Sequence, residues 1–410
     1  MNKNKYICES NTKCKPMKTT VQLSKYLSVV IAILMAPTFI SCSDDDKQPQ
    51  KKMEYITDSQ KIEMLNSIKD LDGTGRLYEI NYTVDYQLDK VLAAQRTSSS
   101  DLFEYVAYLL YDKLPEKKAK GSYGAGCSVF AVPEEGGSDF LMGRNYDFRH
   151  STSDGKSYLP TSAILVHTAP AGGKKSISMV DGLNLFYGQG FYTNPKVDLS
   201  LLMGLPYAAL DGINEDGFAI GILALKEKQT KQNTGKSKIG PTVAIRMLLD
   251  RASTVKEAIN MLRQYDMDME NNGTSNYHYF MADATGDFAI VEYTKVPGDS
   301  IPSIMEVFTK NDTLRCVTNF YVSPTMIGTN DGWGSDHGKD RYNAMRKTLH
   351  ENNYALQEDD AMGLLNSVSQ PPTEELTSQT QWSSLYNLTE RSLRLCILRE
   401  YAKEYKFKVD

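Results

Sequence analysis

Three side chains in one short stretch have the types and spacing to do chemistry together. Cys127 heads the apolar run "CSVFAV" directly behind Gly124, Ala125 and Gly126, and Arg144 and Asp147 follow in "GRNYDF". A thiol attacks only as thiolate, and an ordinary pKa of about 8.5 leaves just a few per cent ionised at pH 7. It needs a base. None of His150, His167, His278, His337 and His350 stands in a recognisable partner sequence. Cutting the Gly126–Cys127 bond would create an α-amine on the same residue as the thiol. The ordinary pKa of such an amine, about 7.7–8.0, lies within roughly one unit of the thiol's, so internal proton transfer costs on the order of 1 kcal/mol. The residue can therefore carry its own base once the chain is cut, and the charged, glycine-rich "PEKKAKGSYGAG" ahead of it is of the kind that cleavage finds accessible.

The elements that must position these groups are mostly strands. From Cys127 onward, "CSVFAVP", "DFLMGRNYDF", "SAILVHTA" and "YAALDGIN" with "EDGFAIGIL" read as strands or hairpins, Asp216-Gly217 supplying turn chemistry. Asn214 and Gly217 are hairpin-turn residues on this reading. An Arg and an Asp three apart on a strand face opposite sides, so a bend or bulge between Arg144 and Asp147 is expected. Helices follow at "PTVAIRMLLDRA", opened by Pro241, and at "TVKEAINMLRQY", where Thr254 and Glu257 have capping-box spacing. Strands resume in "YHYFMADATGDFAIVEYT" and "TLRCVTNF", then helices at "KDRYNAMRKTLHE" and "DDAMGLLNSV", then a last hairpin, "SSLYNLTERSLRLCILREY". Hairpins with helices in separate blocks indicate α+β layering rather than a parallel sheet.

The motifs "GCSVFAV…GRNYDF", "DGINEDGFAIGIL", "YFMADATGDFAIVEYT", "CVTNF", "KDRYNAMRK" and "TQWSSLYNL", in this order, resemble the choloylglycine hydrolase family of N-terminal-nucleophile hydrolases over residues 124–402. The resemblance implies a four-layer αββα sandwich and hydrolysis of linear amides. It makes Cys127 the nucleophile with its freed amine as base, Arg144 the cation beside the sulfur, and Asp147 the acceptor that holds the amine. Asn319 matches the family's active-site asparagine, an amide donor for an oxyanion, and Arg341 its second arginine. The alternatives to these roles are a surface ion pair for Arg144 with Asp147, a strand-terminating turn residue for Asn319 and a solvated helix charge for Arg341. One departure stands out: where bile salt hydrolases carry an oxyanion-hole asparagine, this chain has Ala224.

Composition bounds the rest. The 410 residues are 41% hydrophobic and 24% charged, with a net charge of −5 and scattered basic residues, which argues against nucleic acid as a partner. Of six cysteines, Cys316 and Cys396 lie in strand-like runs and read as buried thiols, so no disulfide framework is implied. No cluster has metal-ligand spacing and no loop looks phosphate-binding, so no cofactor is expected. Residues 1–42, with Lys15, Lys18, the apolar "LSVVIAILMAPTFIS" and Cys42 before "SDDD", resemble a bacterial lipoprotein signal with Cys42 as the acylated residue. Residues 43–53 then read as a tether, 54–126 as a helical propeptide with helices at "SQKIEMLNSIKDL" and "SDLFEYVAYLLYDKL", and 127–410 as the catalytic domain. The expected partners are a small N-acyl amide and a membrane reached through the lipid at Cys42, which places the protein in a bacterial cell envelope. A homo-oligomer is left open.

Overall fold

The run that begins at Cys127 forms the strand Gly126–Pro133, and "FLMGRNYD" forms the strand Phe140–Asp147, paired antiparallel so that Cys127 opposes Tyr146 and Val129 opposes Arg144. This computed structural model describes residues 51–114, 126–152, 157–225, 230–269, 276–295, 303–309, 314–326, 338–372 and 379–410. Cys42, Gly124 and Ala125 lie outside the described residues. The two strands join Thr380–Asn387, Ser392–Ile397, Tyr405–Lys408 and the short Cys316–Val317 in a six-stranded sheet. Facing it is a nine-stranded sheet that includes Leu77–Tyr82, Ala163–Thr168, Ser176–Asp181, Ala209–Asn214, Ala219–Leu225, Asn276–Ala282, Phe288–Thr294 and Ile304–Thr309.

Strand periodicity decides what each face does. On the six-stranded sheet, Cys127, Val129, Tyr146, Trp382 and Tyr386 point at the large sheet and join its apolar core. Phe130, Val132, Leu141 and Leu385 point the other way, into a second core with Met345, Leu349, Met362 and Leu365 from the helices Lys339–Glu351 and Glu358–Ser367. Over the far face of the large sheet lies the helix Pro241–Arg251, close enough for Leu249 to crowd a Cβ built on Gly212. The order of layers is thus helix, sheet, sheet, helix. Each fully buried Leu or Ile in these cores is worth about 1.5–3 kcal/mol.

Both expected helix starts are seen. Pro241 opens its helix, and Thr254 accepts a hydrogen bond from the Glu257 N–H at 3.2 Å while Glu257 reaches back to the Ser253 N–H at 2.8 Å. The segment before the cysteine is not only helical. It contains the helices Ser59–Asn66, Leu88–Ala94 and Ser99–Leu110, and also the strand Leu77–Tyr82, which pairs in parallel with Ala163–Thr168. Leu77, Tyr78 and Ile80 are fully buried. The partner of this strand is some eighty residues away along the chain, so local pattern alone carries no sign of it.

Candidate active site

The expected bulge between Arg144 and Asp147 is absent, and both residues nevertheless serve one place. Strand Phe140–Asp147 keeps an unbroken register with the cysteine strand, and the irregularity lies on its other neighbour, between Thr380 and Trp382. Arg144 consequently faces inward and Asp147 outward. Cys127 is at the start of its strand, so inner-face and outer-face groups both reach it.

On the inner side, Arg144 is fully buried, and its Nη2 donates to the Ile222 carbonyl at 2.6 Å and lies 3.8 Å from Cys127 Sγ. Its charge is met by Asp211, which also accepts from Trp382 Nε1 at 3.1 Å and from the Tyr386 hydroxyl. Gly221 makes room for this arginine: a Cβ there would sit 2.8 Å from Arg144 Cδ and 3.0 Å from Nε.

On the outer side, Asp147 is fully buried and accepts from Thr380 Oγ1 at 2.5 Å, Gln370 Nε2 at 2.8 Å and Arg341 Nη1 at 3.4 Å. Burial pushes its carboxyl above the usual carboxylate range, against the pull of Arg341, Thr380 and Gln370. The Cys127 thiol is likewise pushed up by burial, with Arg144 opposing and Asp147 adding to the rise.

Asn319 arrives through sheet register. Cys316 pairs with Phe130 and Val317 with Val129, so two further residues bring position 319 level with Cys127. Asn319 Oδ1 accepts from the Cys127 backbone N–H at 2.6 Å and from Arg341 Nη2 at 3.0 Å, while its Nδ2 donates to the Ala224 carbonyl at 2.9 Å. Arg341 Nη1 also donates to the Cys127 carbonyl at 2.6 Å. This arginine sits in the first turn of its helix, behind Gly338 at φ +74°, where a Cβ would collide with Thr318 and with Arg341 itself.

The fold therefore brings Cys127, Arg144, Asp147, Asn319 and Arg341 together. Asn319 is engaged with the backbone of Cys127 and with the carbonyl of Ala224, the position that lacks a side-chain donor. Sequence reasoning passed over Asp211, Gly221, Thr380 and Gln370. "DGIN" carries an acidic residue three before the turn residue Asn214, a signal that reads as turn chemistry until its facing arginine is known. Asn214 does hold that turn, accepting from the N–H groups of Asp216 and Phe218 at 3.1 Å each. Among the described residues, no group of three His, Cys, Asp or Glu side chains is placed to hold a metal ion.

Two facing sheets with helices outside both, and a thiol at a strand head between them, are the layered arrangement of the N-terminal-nucleophile hydrolase fold. The model of the acyl-coenzyme A:6-aminopenicillanic acid acyl-transferase family matches residues 133–400. The chain belongs to that family, in agreement with the resemblance carried by the ordered motifs. Arg144, Asp147, Asn319 and Arg341 lie inside the matched range and Cys127 just before it. No curated protein matches the chain. Among solved structures it is similar to two variants of the conjugated bile acid hydrolase from Clostridium perfringens, with TM-scores of 0.43 and 0.45 at 16% and 17% identity, each match covering 69% of this chain and 92% of the other. It is also similar to the penicillin V acylase from Agrobacterium tumefaciens, with a TM-score of 0.44 at 18% identity, covering 66% of this chain and 83% of that one.

Proposed function

We propose that the protein is a cysteine amidase for non-peptide N-acyl amides, made as a proenzyme and matured by cleavage before Cys127. The carrying observation is the grip on residue 127 from three sides: Asn319 on its nitrogen, Arg341 on its carbonyl and Arg144 beside its sulfur. Maturation begins with attack of Sγ on the Gly126 carbonyl, which transfers the acyl group from nitrogen to sulfur. Water then releases the Gly126 carboxylate, leaving thiol and α-amine on Cys127. In turnover the amine takes the thiol proton and the thiolate attacks the substrate carbonyl. The resulting ammonium donates its proton to the leaving nitrogen. The thioester is then hydrolysed by a water that the amine deprotonates, returning the acid and the free enzyme.

Asn319 Oδ1 is positioned to keep orienting the nitrogen once it becomes an amine, and Arg144 favours the thiolate. Substrates are fatty acyl amides or conjugated bile salts. The family's description as an acyl-transferase supports a second reading, in which an amine rather than water takes the acyl group from the thioester. We also place the protein in the cell envelope, held by a lipid on Cys42, on the strength of the leader sequence alone.

Intact mass and N-terminal sequencing of wild type and Cys127→Ala test the central step. A fragment starting at Cys127 in wild type and absent from the variant is expected. An uncut wild-type chain whose Cys127 resists alkylation would replace the enzyme with a non-catalytic binding protein on the same scaffold. Turnover of glycocholate, N-palmitoylethanolamine and penicillin V, with and without an added amine acceptor, then separates the substrate classes.

A further inference from the structure

His278 and Glu292 form a buried pair that the chemistry above does not use. Both are fully buried on neighbouring strands of the large sheet, with His278 Nδ1 3.0 Å from Glu292 Oε1. The other ring nitrogen, Nε2, lies 2.9 Å from the carbonyl of Thr318, the residue directly before Asn319. Glu292 completes the arrangement: Oε1 accepts from the Val322 N–H at 2.8 Å and Oε2 from the Ser323 N–H at 2.9 Å.

A carbonyl can only accept, so Nε2 carries a proton. Nδ1 shares one hydrogen bond with Glu292, whose two oxygens also receive two backbone N–H groups. The ring thus bridges the Thr318 carbonyl and Glu292. Other bonds fasten the same stretch to the same sheet. Asn276 Nδ2 donates to the Tyr321 hydroxyl at 3.0 Å and the Ser323 hydroxyl to Glu306 at 2.7 Å. Thr318 Oγ1 donates to the Gly338 carbonyl at 2.9 Å, tying in the helix that carries Arg341. Residues 318–323 are thus clamped to the large sheet, while the cysteine they serve belongs to the small one.

We propose that His278, held between Glu292 and the Thr318 carbonyl, is a positioning residue. It sets the height of Asn319, and through Thr318 that of Arg341, against the nitrogen and carbonyl of Cys127. This rests on the amidase reading, because position matters only if residue 127 reacts. A misplacement of about 1 Å in such a group costs on the order of a hundredfold in rate.

The test uses the full-length protein and whichever of glycocholate, N-palmitoylethanolamine or penicillin V wild type turns over. His278→Gln and Glu292→Gln are each expected to lower kcat about ten- to a hundredfold with KM within about twofold, and to slow cleavage before Cys127. Specific 15N labelling of the five histidines gives a readout that folding alone would not move. The imidazole missing from His278→Gln is expected to show its Nε2 proton held in a hydrogen bond in wild type, and this holds even if that variant fails to fold, since Glu292→Gln identifies the same resonance by its shift. A ring whose Nε2 carries no proton, or variants with wild-type kcat and cleavage, overturns the clamp and leaves the amidase standing. Wild-type protein neither cut nor active overturns both.

Discussion

Replacing Asp211 by Asn removes one charge and almost no volume, which makes it the sharpest probe of how the site holds its arginine. Arg144 and Asp211 are both fully buried, and Asp211 meets Arg144, Trp382 and Tyr386 at once. An asparagine can turn its oxygen toward Arg144 and Trp382 and its NH2 toward the Tyr386 hydroxyl, which accepts as readily as it donates. The hydrogen bonds then survive and the charge does not. Leaving one member of a buried ion pair uncompensated costs about 3–5 kcal/mol, and the retained bonds put this case near the lower end. At about 1.4 kcal/mol per tenfold, roughly two powers of ten in the folding constant are lost. Urea unfolding of Cys127→Ala with and without Asp211→Asn measures this in an uncut chain. Adding Arg144→Met should recover part of the loss, because removing both charges is milder than stranding one. A loss below about 1 kcal/mol from Asp211→Asn, or no recovery in the combined variant, would show that Arg144 does not depend on Asp211 and sink the argument.

Three further outcomes are expected. Because burial raises the Asp147 carboxyl, amidase activity should fall on acidification at a pH above the ordinary carboxylate range. Thr380→Val, which deletes a donor that stabilises the charged form, should move that acid limb higher. The same variant should lose more stability at pH 7 than at pH 4, since a carboxyl with a raised folded pKa weakens the fold as it ionises, and a pH series of kcat and of melting temperature checks both. Gly221→Ala, whose Cβ would stand 2.8 Å from Arg144 Cδ, should cost about 1–3 kcal/mol and lower kcat by displacing the guanidinium, read by urea unfolding and steady-state kinetics. Burial pushes the thiols of Cys316 and Cys396 up to about 12, whereas at Cys127 Arg144 opposes the effect of burial and cleavage adds an α-amine as base. Among these three, iodoacetamide at pH 7.5 should therefore label Cys127 alone in the matured protein and none in the uncut chain, as peptide mass analysis would show.

How much of this the sequence carried depends on the range of the forces involved. The helix beginning at Pro241, the Thr254 cap and the alternation of "CSVFAV" are local, and the chain follows them. Cys127, Arg144 and Asp147 were visible because they sit within one hairpin. Asn319 and Arg341 were visible only through motif order. Asp211, Gln370 and Thr380 join the site by folding across sheets or from loops, and nothing within a few residues of them marks the meeting. His278 shows the same limit: its neighbours in sequence name no partner, while the adjacent strand and the turn after Val317 supply two.

The strand Leu77–Tyr82 has a further consequence. It is hydrogen-bonded along its length to Ala163–Thr168 and carries fully buried side chains. Once the bond before Cys127 is cut, these two strands belong to different polypeptides. Unfolding then becomes dissociation, and the midpoint of melting should rise with protein concentration for the cut enzyme but not for uncut Cys127→Ala. Refolding passes from a first-order search to a second-order encounter, so a matured molecule that comes apart at low concentration has no ready way back. Maturation on this fold would act as a one-way gate: the chain must complete its large sheet while still continuous.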